Sequence, residues 1–174
     1  MTMEKKYRLL ENDTITVNGR TLYRIEALRD FADVKKDEKG GYIESEANLP
    51  HEGDCWVFGT AWVFDTARVS DNACISGNAR VFDTARVSDN AWVAGNARVL
   101  GNARVLGNAW VAGNACVAGN ACVAGNACVA GNACVYGNAW VLDDARVYGT
   151  ARVLGNACVL GNAKISNGII TNVG

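Results

Sequence analysis

Between residues 55 and 168 the apolar positions recur with a period of six. Alanine stands at Ala61, Ala67, Ala73 and Ala79 and at every sixth position through Ala163. Two places after each alanine comes a valine or isoleucine, from Val63, Val69 and Ile75 to Ile165. The unit reads Ala-x-Val-x-Gly-Asn. Strand alternation puts alanine and valine on one face and the two x residues on the other. The remaining pair supplies a turn. Asp replaces the glycine at Asp65, Asp71, Asp83, Asp89 and Asp143, while Thr replaces the asparagine at Thr60, Thr66, Thr84 and Thr150. A β-branched residue disfavours positive φ, so the Gly/Asp site is expected to be the left-handed one. The alternation never reverses phase, which excludes a meander of hairpins. Such a short fixed period predicts a solenoid, in which no unit buries its apolar face alone.

The first forty residues follow other rules. Thr14 to Val17 and Arg20 to Tyr23 flank Asn18-Gly19, the signature of a hairpin with a type I′ turn. Ala27, Leu28, Phe31 and Val34 have helical spacing within residues 25–34, which predicts a short amphipathic helix. Residues 1–40 are therefore expected to form a hairpin-plus-helix cap over the apolar end of a solenoid occupying 41–174. Gly41 begins a faint first repeat, with Ile43, Ala47 and Leu49 in place. The next alanine-type position is Cys55, eight residues after Ala47, so two residues are inserted near Pro50-His51. This interruption carries the chain's only proline and only histidine.

The hexads resemble the hexapeptide repeat of left-handed parallel β-helices, a fold shared by many acyltransferases. Tyr23 to Phe31, Gly40 to Glu46 and Glu52 to Val57 are similar to the YdcK-like hexapeptide proteins of bacteria and their phages. The resemblance implies an all-β fold: a left-handed, three-sided parallel β-helix of about seven coils, about 34 Å long at the usual strand spacing.

With three hexads per coil, residues eighteen apart stack on one wall. The first outward position then forms three columns. One runs Trp56, Cys74, Trp92, Trp110, Cys128, Arg146, Lys164. The second runs Trp62, Arg80, Arg98, Cys116, Cys134, Arg152. The third runs Arg68, Arg86, Arg104, Cys122, Trp140, Cys158. Outward positions from Trp110 to Trp140 carry no charge, and Leu142 and Leu160 extend the apolar surface. Contiguous apolar patches of this kind mark association. Burial of Trp92 with Trp110, or of Trp140 with Leu142 and Leu160, between subunits is expected. The assembly is a trimer by resemblance, with a dimer joined at the C-terminal ends as the alternative. Ile169, Ile170 and Val173 are expected to fold over the last coil as a plug. Arg68, Arg86 and Arg104 form one guanidinium ladder and Arg80 and Arg98 another. Either ladder suits an anion, although Asp65, Asp71, Asp83 and Asp89 lie at nearby corners and are expected to pair with them.

The formal net charge of −1 gives no reason to expect nucleic acid or a membrane surface as partner. No apolar run spans a bilayer and no signal peptide opens the chain, so a cytosolic protein is expected. Six of the seven cysteines share one repeat position, unlike a disulfide framework, and reduced thiols are expected. Only Cys116 and Cys134 fall on neighbouring rungs of one wall, at a spacing a disulfide allows. One histidine and scattered thiols do not make a zinc site. Acyltransferases of this fold use a histidine as general base between subunits, and this chain offers only His51, in the insertion beside the cap. Two function classes remain. One is a non-catalytic scaffold or binding protein that self-associates through flat walls, is related to phage proteins by resemblance, and needs no cofactor. The other is an acyltransferase using acetyl-CoA or a similar donor. An ice-binding solenoid needs outward ranks of threonine, and here threonine is confined to the turns of the repeat.

Overall fold

The computed structural model describes residues 4–171. Its first two strands, β1 (Tyr7–Val17) and β2 (Arg20–Ala27), form the expected hairpin around Asn18 and Gly19. These two residues have φ of 50° and 79°, as a type I′ turn requires. The hairpin reaches well beyond the four-residue runs that announced it, because β2 is paired on both edges. Its second partner is β3 (Lys39–Ile43), also antiparallel. β3 then lies parallel to the solenoid strand Trp62–Val63, with Tyr42 opposite Trp62 and Ile43 opposite Val63. The N-terminal hairpin is thus an extension of one solenoid wall.

The helix expected over residues 25–34 does not form. β2 continues through Ala27, and Phe31 to Val34 close a tight turn by two mutual backbone hydrogen bonds of 3.0 and 2.8 Å. Ala32 sits in that turn at φ 45°. Ile25 and Ala27 are both buried at strand spacing, while Leu28, one of the four helical-spacing residues, is exposed. Pairing β2 between two strands satisfies backbone groups that an isolated short helix leaves free at its ends. Tertiary pairing therefore overrides the local period.

From Trp56–Val57 to Ile169–Ile170 the chain is a parallel β-solenoid of two-residue strands in three sheets. Strand neighbours are eighteen residues apart, as in Trp92 opposite Trp110 and Val93 opposite Val111. The three expected columns are the three walls. One sheet has seven strands and one has six, and the third is joined to the cap. About seven coils result. Valines such as Val99, Val105 and Val111 are completely buried, and the alanines beside them are likewise inside.

The corners explain the sequence at atomic detail. Every Gly or Asp at the turn site between residues 59 and 161 has φ between 59° and 76°. The left-handed residue is therefore the Gly/Asp one. Aspartate adds a bond there: its carboxylate accepts the backbone N–H one rung on, at 3.0 Å for Asp83 with Gly101, Asp89 with Gly107 and Asp143 with Gly161. The following asparagines stack into amide ladders. Asn72 donates to Asn90, Asn90 to Asn108 and Asn108 to Asn126, at 3.1 to 3.2 Å.

At the capped end the backbone groups of the first coil need other partners. Asn48, in the short 3-10 turn Glu46–Asn48, donates from Nδ2 to the carbonyls of Asp65 (3.0 Å) and Ala67 (2.8 Å). Its Oδ1 accepts from the N–H groups of Glu44 and Ser45. Trp56 is outward by register yet fully buried, because Tyr7 and Phe31 pack edge-on against it. At the other end, Ile169 and Ile170 do not form a plug. They add a rung to the second wall, with Ile169 opposite Arg152 and Ile170 opposite Val153. One residue fewer in the corner at Ser166 to Gly168 keeps the register. Arg152 and Leu154 donate to the carbonyls of Gly168 and Ile170, and crossing the apolar end would forfeit those bonds. Val173 lies outside the described residues.

Candidate functional site

The inward faces of the solenoid are uniform, so anything specific must lie on its walls or at the cap. On the first wall Trp92 and Trp110 stack with ring centroids 5.7 Å apart and planes 12° from parallel. They are 46% and 49% exposed in the single chain. The indole N–H of Trp92 donates to Ser76 Oγ at 2.9 Å, which restricts its rotamer. On the third wall Trp140 and Leu160 are 51% and 49% exposed, with half-buried Leu142 in the same sector. The structure therefore places Trp92, Trp110, Trp140 and Leu160 at the surface, in two patches on different walls. Tyr136 and Tyr148 are also exposed and escaped notice in the sequence. Each occupies a second outward position that alanine fills elsewhere in its column, so only the column comparison reveals it.

The arginines are arranged as expected but not neutralised as expected. Arg68 lies in register with Arg86, and Arg86 with Arg104. All three are exposed. Among the described residues none of them has an ion-pair partner within 4 Å. The corner aspartates serve other donors: Asp71 accepts from Ser70 Oγ (3.3 Å) and Asp89 N–H (3.4 Å), and Asp89 accepts from Gly107 N–H. Asp65 pairs with Arg20 of the hairpin at 3.5 Å. Asp71 lines the same cavity as the three arginines, yet its carboxylate is engaged at its own corner.

The three guanidiniums line an open cavity of about 450 Å³ with Ser70, Ser88 and Leu106, bordered by Pro50, Glu52 and Gly53 of the segment that carries the insertion. The second ladder differs. Arg80 lies over the ring of Trp62, 4.3 Å from its centroid, as a cation–π pair, and with Arg98 borders a smaller cavity of about 360 Å³.

His51 is not a free surface histidine. Its ring stacks on Tyr7 at 4.4 Å, Nδ1 accepts the backbone N–H of Lys6 at 3.2 Å, and Nε2 faces Glu46 Oε1 at 3.3 Å. Burial holds its pKa below the ordinary value against the opposing pull of Glu46. An imidazole whose acceptor nitrogen is engaged by a backbone N–H has no lone pair for a substrate proton. The geometry ties His51 to the N-terminal strand through Lys6 and Tyr7 and to Glu46 of the first repeat.

Lys6, fully buried in the same junction, was invisible in the sequence as anything but part of a polar start. Its ammonium donates to the carbonyls of Cys55 (2.8 Å) and Gly53 (3.2 Å) and lies 3.3 Å from Cys55 Sγ. Burial lowers the Lys6 pKa and raises that of Cys55.

The cysteines of the described residues are free thiols. Cys116 and Cys134 are in-register neighbours, and burial holds the Cys116 thiol above its ordinary pKa. Among the described residues no three His, Cys, Asp or Glu side chains converge as a metal-binding group. No helix of the described residues is long and apolar enough to cross a membrane. No protein-family model and no curated protein matches the chain.

Proposed function

We propose that this chain is a non-catalytic scaffold of the cytosol, a left-handed hexapeptide-repeat β-helix that assembles with copies of itself through its flat walls. The observation that carries the reading is the pair of half-exposed, mutually stacked indoles of Trp92 and Trp110. Their stacking presents one rigid aromatic strip along a regular wall, and rigid aromatics are the side chains that dominate interface energetics. The Trp140, Leu142 and Leu160 sector offers a second apolar strip on another wall. Two strips on different walls of one prism suit a closed ring, in which each copy gives one wall and receives another. A trimer follows from the resemblance to hexapeptide-repeat β-helix proteins; a dimer joined at the C-terminal ends is the competing arrangement.

Acyl transfer, which the same likeness brings to mind, needs a base within reach of an acceptor, and His51 is engaged at the cap. The two readings separate in one pair of measurements. The scaffold reading expects acetyl-CoA to leave the melting temperature unchanged. It also expects the double variant Trp92→Glu, Trp110→Glu to sediment as a smaller species than the parent. Stabilisation by acetyl-CoA that disappears in His51→Ala, together with unchanged sedimentation of the double variant, would establish the transferase instead.

A further inference from the structure

The arginine ladder lies on the rungs of the third wall before Cys122 and Trp140, outside the apolar strip through which that wall is proposed to associate. Arg68, Arg86 and Arg104 stand on three successive rungs in strict register. At the usual spacing of about 4.8 Å between strands, three like charges fall within about 10 Å. Such an array repels itself, and screening at physiological salt becomes effective only beyond about 8 Å. A ladder that was merely a solvated surface would be expected to borrow the nearby carboxylates. It does not: Asp71 and Asp89 are committed to donors at their own corners.

Three further features shape the site. The ladder has a defined length, since the next residues in the column are Cys122 and Trp140. Ser70 and Ser88, on the first two rungs of the same wall, place hydroxyls beside the guanidiniums in the cavity. The segment that carries the insertion near Pro50-His51 borders that cavity and brings Glu52 to it. Glu52 and Asp71 make their end the less positive one, so the ladder's charge is concentrated towards Arg86 and Arg104. The volume of about 450 Å³ lies within the range of small-molecule sites.

We infer that this groove binds a linear oligophosphate, laid along the solenoid axis with successive phosphoryl groups facing successive rungs. Guanidinium forks suit phosphoryl oxygens in a bidentate manner, and a chain of linked phosphates matches several closely spaced cations at once. The Ser88 hydroxyl is placed to donate to an oxygen between them, whereas Ser70 donates to Asp71. A compact polycarboxylate carries similar charge without that linear repeat. The inference goes beyond the scaffold reading and does not depend on which apolar strip joins the subunits.

Isothermal titration of the full chain with sodium tripolyphosphate at low ionic strength, without added metal, is the test. Saturable binding at one site per chain is expected, weakened about tenfold in Arg86→Gln, since one charge-assisted bidentate contact is lost. Arg152→Gln removes an arginine of another wall, beside Cys134, and is expected to bind like the parent. Adenosine triphosphate serves as a second probe. Equal affinity for it assigns the site to the oligophosphate itself, and much tighter binding that still needs Arg86 assigns the triphosphate of a nucleotide as its source. Absence of saturable heat, equal weakening in Arg86→Gln and Arg152→Gln, or citrate binding as tightly as tripolyphosphate would each overturn the inference. Equal melting temperatures of parent and variants exclude unfolding as the cause. Sedimentation of the same samples reports subunit assembly separately, so either proposal can fail without the other.

Discussion

The cap junction and the rungs at residues 113–135 face the same requirement and meet it differently. Each must pair the backbone groups of a coil and cover its apolar interior. In the middle of the solenoid the neighbouring coils do both, and each residue type has one task repeated on every rung. Valine fills the core, glycine turns the corner, and asparagine bonds the asparagine eighteen residues on. At the junction no neighbouring coil exists. There the work falls on side chains that occur once: Asn48 replaces two backbone donors, Lys6 bridges two carbonyls, and Trp56 is covered by Tyr7 and Phe31. Stability in the middle is therefore a sum of similar nearest-neighbour terms, whereas at the junction single residues carry large shares.

That contrast predicts unequal responses to substitution. The largest is expected for Trp56→Ala, which empties the site between Tyr7, Phe31 and the first coil. A loss of about 3–5 kcal/mol in denaturant unfolding is expected, as for other large-to-small aromatic truncations in cores. A loss under about 1 kcal/mol would mean that the cap is not coupled to the solenoid. Next comes a matched pair of asparagines. Asn48→Ala strips the buried carbonyl of Ala67 and the part-buried one of Asp65 of their donor and is expected to cost about 2–3 kcal/mol. Asn120→Ala removes exposed ladder bonds to Asn102 and Asn138 and is expected to cost about 0.5–1 kcal/mol. Similar losses in the two variants would erase the distinction between junction and repeat.

How far each region was legible follows from the same difference. In the repeat, one residue's environment is stated eighteen times over, so the three columns, the inward valines and the left-handed Gly/Asp site were readable from period and substitution alone. At the junction several contacts join residues more than forty positions apart, as Lys6 does with Cys55 and Tyr7 with Leu49. No local pattern announces such contacts. The helical spacing of Ala27, Leu28, Phe31 and Val34 was misleading because pairing of β2 on both edges decides the conformation there. The arginine groove was half legible: the ladder follows from the period, but the destination of the aspartates and the border formed by the segment with the insertion do not.

The smallest expected effect is a pH dependence confined to the junction. The His51 pKa is lowered in the folded chain, so between that value and the unfolded value of about 6.5 the unfolded state binds more protons. Stability should therefore decline as pH falls through about 6.5, with the penalty complete below the folded value. Glu46 is also held low, chiefly by Lys5, and its contribution, present above about 4.5, is lost as pH falls through its folded value. Melting curves from about pH 7 to pH 5 should show the first decline in the parent and a shallower one in His51→Gln. An identical decline in both would assign the effect to other groups.

The proposal that the walls exist to meet copies of the same chain is tested most directly by mass. Sedimentation equilibrium of the unmodified protein at micromolar concentration should return a multiple of 18.5 kDa, three by the favoured arrangement. A single species of 18.5 kDa across that range, with Trp92 and Trp110 freely quenched by acrylamide, would contradict it.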